Sequence, residues 1–108
     1  MSATRNCLLD MAYNIHWTRR ASSDIDSIFH FYSENASILV ASRRLHKIKN
    51  DIATLKFMPN IGRLDDKYTH TPSYRYLNVL DYRIYYFVEE KDVFIAAIWD
   101  YRQGGSTF

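Results

Sequence analysis

The sequence predicts an α+β domain: a helical hairpin packed on one face of a small antiparallel sheet, in the order β-α-α-β-β-β. Three observations predict it. Apolar residues recur at steps of three and four over two consecutive stretches of the first half. Runs rich in Tyr, Ile, Val and Phe, alternating or continuous, fill the last third. Only three Gly and two Pro interrupt 108 residues, so turns are few and short.

The elements follow in order. Residues 1–10 show no periodicity and read as a flexible extension before a single domain at 11–108. Tyr13, Ile15 and Trp17 alternate in the strand period. Thr18 to Asp24 reads as the turn into a helix, with Ser22 or Ser23 as the cap and Asp24 and Asp26 at the positive end of the dipole. Ala21, Ile25, Ile28, Phe29 and Tyr32 then form one apolar face of a helix ending near Glu34. A second helix is predicted from Ser37 to Phe57. Its stripe is Ile38, Ala41, Leu45, Ile48, Ile52 and Leu55, a spacing that suits two packed helices. Arg43, Arg44, Lys47 and Lys49 lie off that stripe, and Pro59 ends the helix. Residues 59–72 read as a polar loop. Strands are predicted at Ser73–Leu80, Tyr82–Glu89 and Val93–Tyr101, joined by turns short enough for hairpins.

Composition narrows the function. The single Cys7 excludes an internal disulfide framework and a cysteine-based zinc site. No apolar run is long enough to cross a bilayer, and the N-terminus lacks an apolar signal segment, so the chain reads as soluble and cytoplasmic with no membrane partner. The net charge of +2 is too small to demand a nucleic-acid partner. Phosphate-binding glycine loops, HExxH, GxSxG and CxxC are all absent. His16, His30, His46 and His70 lie on four separate elements without ligand spacing, which predicts no metal and no cofactor.

What remains is a polar set in the second half. Arg63 and Lys67 lie in the loop, Arg75 starts a strand and Arg83 lies in the next. Asp100, Tyr101 and Arg102 end the last. Gathered on the side of the sheet away from the helices, they would bind phosphate and assist proton transfer. The plainer alternative is a solvated sheet face with Asp100 paired to Arg83 or Arg102.

The order of elements and several short stretches resemble the RelE/ParE superfamily of bacterial type II toxins. The resemblance runs from Tyr13 to Gln103. It is carried by Tyr13–Trp17, Ala21–Ile25 with Ile28, Ala41 to Leu55 leading into Met58–Gly62, Arg75, Asp81–Val88 and Ile95–Gln103. Two activities are found within the superfamily. RelE-like members are mRNA endoribonucleases; ParE-like members bind and poison DNA gyrase. The long helical hairpin, Pro59-Asn-Ile-Gly62 and the close Trp99-Asp-Tyr-Arg-Gln103 look more like the ParE branch. Residues 59–108 carry a net charge of −1, unlike the lysine- and arginine-dense nucleases. Many ParE-like members have His where this chain has Asp100.

The resemblance implies a gyrase-inhibiting toxin of a plasmid-stabilising or growth-inhibiting pair, and not an enzyme. A cognate antitoxin would neutralise it within a hetero-oligomer. Target contacts would come from Arg63, Arg75, Arg83, Asp100, Tyr101 and Arg102. The alternatives are an endoribonuclease acting on mRNA at the ribosome through Arg75, Arg83 and Tyr101, and a non-toxic relative that merely binds an antitoxin.

Overall fold

The computed structural model describes residues 12–65 and 73–100. Strand β1 (Asn14–Trp17) leads into helix α1 (Arg19–Asn35) and helix α2 (Ile38–Ala53). A single 3-10 turn, Thr54–Lys56, extends α2. Strands β2 (Arg63–Leu64), β3 (Arg75–Val79), β4 (Tyr82–Glu89) and β5 (Asp92–Asp100) follow. They form one sheet in the order β1-β5-β4-β3-β2. The α+β class and the order of its main elements are those predicted.

The sheet is mixed, because β1 runs parallel to β5 while the other pairs are antiparallel. The helical hairpin carries the chain from β1 at one edge of the sheet to β2 at the other, so β1 meets β5 only through the intervening strands and no tight turn forces that pair to be antiparallel. Strand β2 lies inside the predicted loop. Two residues are too few to show a period, which is why the sequence hides it.

The first helix starts earlier than predicted. Thr18, not Ser22 or Ser23, is its cap, with Thr18 Oγ1 accepting from Ala21 N at 3.2 Å. Asp24 and Asp26 therefore lie beyond the first turn, too far in to complement the dipole. Asp24 does other work: its Oδ2 accepts from Ile98 N at 2.9 Å, and Arg20 Nε donates to it across one helical turn at 3.1 Å. Helix α2 is capped by Ser37, whose hydroxyl accepts from Val40 N at 3.1 Å.

The core lies between the hairpin and one face of the sheet. Ala21, Ile25 and Ile28 of α1 and Ile48 and Ile52 of α2 are buried, as is Leu55 in the 3-10 turn. They meet Val79, Tyr82, Ile84, Tyr86, Val93, Ile95 and Ile98. The predicted stripes account for these helix residues except at the hairpin's tip, where Ile38 is exposed because the sheet does not reach it. Arg44, predicted off the stripe, is half-buried. Its guanidinium sits 4.4 Å from the Tyr32 ring centre and faces Asp81 at 3.8 Å.

A bulge keeps β5 in phase with the core. Tyr85 pairs with Ala97 and Tyr86 with Ile95, so Ala96 is skipped. Strict alternation after Ile95 would turn Ile98 outward. The extra residue returns it to the helix side, where it is buried. The two hairpins close through Leu80-Asp81 and Glu90-Lys91, and Leu80 and Glu90 take positive φ values of 56° and 54°. Gly or Asn suits such positions better.

The Thr18 hydroxyl caps α1 and also donates to Ile95 O at 2.7 Å. Thr18→Ala should lower unfolding free energy by about 1–2 kcal/mol. The denaturant midpoint should fall at unchanged slope. Glu90→Gly, which relieves the left-handed residue at the β4–β5 turn, should move the midpoint the other way.

Candidate functional site

Paired residues on neighbouring strands share a face. The registers therefore assign each sequence-predicted residue to one side of the sheet. Arg63 pairs with Tyr76, which pairs with Tyr85; Asn78 pairs with Arg83 and Arg83 with Trp99. All of these lie on the open side, away from the helices. Arg83 is held there by two contacts. Its guanidinium stacks 4.1 Å from the Tyr76 ring centre, and its Nε donates to Asn78 Oδ1 at 3.2 Å.

Arg75 and Asp100 do not join them. Arg75 pairs with the buried Tyr86, so it lies on the helix side at the outer part of the sheet. Its Nη1 donates to Gly62 O at 2.8 Å and to Asn60 O at 3.2 Å. Asp100 pairs with the buried Tyr82. It lines a cavity of about 320 Å³ with Asp24, Ser27, Ile28 and Tyr82. The expected gathering of arginines and a carboxylate on one face is thus split by strand alternation and by the β5 bulge. Asp100 does not pair with Arg83; the two face opposite sides. Lys67, Tyr101 and Arg102 lie outside the described residues, as do residues 1–10.

The helix-side hydroxyls are held neutral. Burial pushes the Tyr82 phenol well above its usual range, reinforced by the hydrogen bond it donates to Tyr32 Oη at 3.3 Å and by the charge of Asp100. Burial also raises Tyr86, against the opposing effects of the Gly62 amide and Arg75.

The open side carries an aromatic row that the sequence reading did not single out. His16 stacks on Phe94 at 4.9 Å, Phe94 on Phe87 at 5.1 Å, and Phe87 meets Tyr74 edge-on at 5.5 Å. Phe94 has a ring on each side, so the row turns ring edges rather than ring faces to solvent. The signal was in the outward positions of β1, β3, β4 and β5, but pairing β1 with β5 was needed to read it. At one end His16 Nε2 lies 2.8 Å from Asp92 Oδ1. That contact, followed by Asn14, holds the Asp92 carboxyl below its ordinary value.

His16 and Arg83 stand far apart. Their partners on β5, Phe94 and Trp99, are five residues apart. At ~3.3 Å per residue that is roughly 16 Å along the strand, beyond the reach of one phosphate. Among the described residues no group of three or more His, Cys, Asp or Glu is placed to hold a metal ion. No helix among them is long and apolar enough to cross a membrane.

Because folding lowers the Asp92 value, its contribution to stability is present above the ordinary carboxylate range. It is lost as pH falls through the lowered folded value. The stability difference between the unsubstituted protein and Asp92→Asn should therefore be present at pH 6 and close as pH falls below the ordinary carboxylate range. Denaturant titrations across that range measure it.

Comparison with known proteins assigns the fold to a family. The family described as the ParE toxin of the type II toxin-antitoxin system, parDE, matches residues 15–104. Toxin ParE3 of Caulobacter vibrioides is 33 % identical over 85 residues, covering 79 % of this chain and 83 % of that protein. A chain of the chromosomal ParDE TA system from P. aeruginosa superposes with a TM-score of 0.69 at 22 % identity, covering 82 % of this chain and 95 % of that one. The chain belongs to the ParE toxin family of type II toxin-antitoxin systems.

Proposed function

We propose that this ParE-family toxin inhibits DNA gyrase by binding, and that its cognate antitoxin neutralises it in a cytoplasmic hetero-oligomer. Gyrase is the target expected of the ParE branch. One observation carries the choice of a binding protein over a ribonuclease: Arg75 and Arg83 lie on opposite faces of the sheet. Cleavage at a phosphodiester needs a group to move the 2′-hydroxyl proton and cations to neutralise the developing phosphorane, all around one phosphorus atom. Arg75 is occupied with the Asn60 and Gly62 carbonyls. Asp100 lies on the helix side, and the His16–Asp92 pair lies far from Arg83 along the sheet.

The arginines on the open face suit recognition instead. Arg63 is exposed, and Arg83 is pre-positioned by Tyr76 and Asn78. A guanidinium fixed in this way loses little freedom when it meets a carboxylate or phosphate. We assign target contact to Arg63 and Arg83, with Tyr101 and Arg102 added from the resemblance of the closing motif.

The test uses antitoxin-free protein in two assays: gyrase supercoiling with a check for trapped cleaved DNA, and mRNA cleavage with and without ribosomes. Inhibition of gyrase with intact mRNA is expected. Cleavage of mRNA with gyrase untouched would sink the proposal, and silence in both assays would favour the non-toxic relative. The double variant Arg63→Ala, Arg83→Ala should raise the concentration for half-inhibition of gyrase about tenfold or more, the loss of one or two charge-assisted hydrogen bonds.

A further inference from the structure

Three arginines cross one end of the open side of the sheet. Arg63 on β2 pairs with Tyr76 on β3, and the Arg83 guanidinium lies over the Tyr76 ring. Arg83 in turn pairs with Trp99 on β5. Beside Trp99 there is no further strand, because β1 stops at Trp17, opposite Ile95. The start of α1 covers that edge instead: Thr18 Oγ1 donates to Ile95 O, and Asp24 Oδ2 accepts from Ile98 N. From the same turn Arg20 extends its guanidinium over the Trp99 ring, 5.1 Å from its centre. The order across the sheet is Arg63, Arg83, Arg20, and β2 to β5 spans about 14 Å at ~4.8 Å per strand step.

Arg20 stands where local physics disfavours a cation. It lies in the first turn of α1, at the positive end of the dipole, and that turn holds no acidic residue. Asp24, one turn on, accepts from Arg20 Nε at 3.1 and 3.2 Å, and the indole face supports the guanidinium. The Arg20 side chain is nevertheless half exposed. A residue that breaks a local preference and is then held in place belongs to a working surface.

Charge is graded along this side of the sheet. Glu89 pairs with Asp92 at the opposite end. Glu89 is six residues beyond Arg83 on β4, roughly 20 Å at ~3.3 Å per residue. Asp65, whose N–H donates to Tyr74 O, is level with the aromatic row between the two ends. Asp81 and Asp100, nearer the arginines, face the other way: Asp81 meets Arg44 of α2, and Asp100 pairs with the buried Tyr82. A single carboxylate would engage one of three arginines spread over four strands. A nucleic-acid backbone presents phosphates in series and engages them together. The guanidiniums over Tyr76 and Trp99 occupy ring faces on which bases would stack, and their N–H groups suit phosphate oxygens.

We infer that Arg20, Arg63 and Arg83 bind the sugar-phosphate backbone of the DNA on which gyrase acts, without reading its sequence. The inference rests on the gyrase reading and gives that surface its ligand.

The test is fluorescence anisotropy of the antitoxin-free toxin with labelled duplex DNA, without gyrase, across a range of salt concentrations. The logarithm of the affinity should fall against that of salt with a slope of about −2.7, three phosphate contacts at about −0.9 each. Two duplexes of unrelated sequence should bind alike. Arg20→Gln and Arg83→Gln should each weaken binding severalfold at low salt and make the slope shallower by about 1. A partly unfolded variant would lose apparent affinity but not slope. Arg20→Lys keeps the charge and should keep the slope. Lys91→Gln, in the turn at the acidic end, should change neither quantity. Wild-type affinity and slope in Arg20→Gln and Arg83→Gln would overturn the inference, as would no binding by the wild-type protein. Lost gyrase inhibition in those variants with DNA affinity intact would also overturn it and give the arginines to an acidic protein surface. If the wild-type protein binds DNA through these arginines yet leaves gyrase untouched, the gyrase reading fails and the phosphate contacts stand.

Discussion

The Thr18 hydroxyl is the point on which the architecture turns. It accepts from Ala21 N to begin α1 and donates to Ile95 O on the next strand of the sheet. One side chain thereby fixes where β1 ends, where the hairpin begins and how both sit on β5. The parallel pairing of β1 with β5 joins residues almost eighty positions apart, from Asn14↔Asp92 to Trp17↔Ile95. Such a contact is slow to find and pays a loop-closure cost. It is held by the Thr18 hydroxyl at one end and by the Asn14, His16 and Asp92 side chains at the other. With β1 seated, Asp24 reaches Ile98 N and satisfies a backbone amide on β5 past the end of β1.

Side-chain phase decides function as much as fold. A strand sends successive residues to opposite faces, so an arginine belongs to a surface only through its register. Arg75 and Arg83 look alike in sequence, each near the start of a tyrosine-rich strand. The Arg75↔Tyr86 and Asn78↔Arg83 pairs put one against the core side and the other in the open. The bulge at Ala96 then sends Asp100 to the helix side with Tyr82. These placements take Arg75 and Asp100 from the open face and leave Arg75 as an internal tie. An arginine whose Nη1 donates to two carbonyls near a buried phenol ties a loop to the sheet.

This also explains what could be read in advance. The helices were legible because Ala21, Ile25 and Ile28, and Ala41, Ile48 and Ile52, repeat a local period that needs no knowledge of the rest of the chain. The β4 strand was legible because Tyr82, Ile84 and Tyr86 alternate with partly exposed residues. The cap at Thr18 was missed because Ser22 and Ser23 offer the same chemistry nearer the first acidic residues. Only the β5 carbonyl that Thr18 also binds distinguishes it. Strand β2, the parallel register and the Ala96 bulge are non-local, and no period in the chain announces them. The site residues inherited that blindness: their identities were visible, but their faces were not.

Register divides even the shortest strand. Arg63 and Leu64 are neighbours in a strand of two residues, and alternation sends Arg63 to the open face and Leu64 to the helix side. The Tyr86–Gly62 and Arg75–Gly62 hydrogen bonds tie the turn before that strand to the sheet. Gly62 stands against Tyr86 and the Tyr76 carbonyl with no room for a Cβ, so the approach of the turn to the sheet depends on the one residue type that has none. The edge of the sheet is therefore set by a buried phenol and a guanidinium, not by the length of β2, which is too short to hold itself in register.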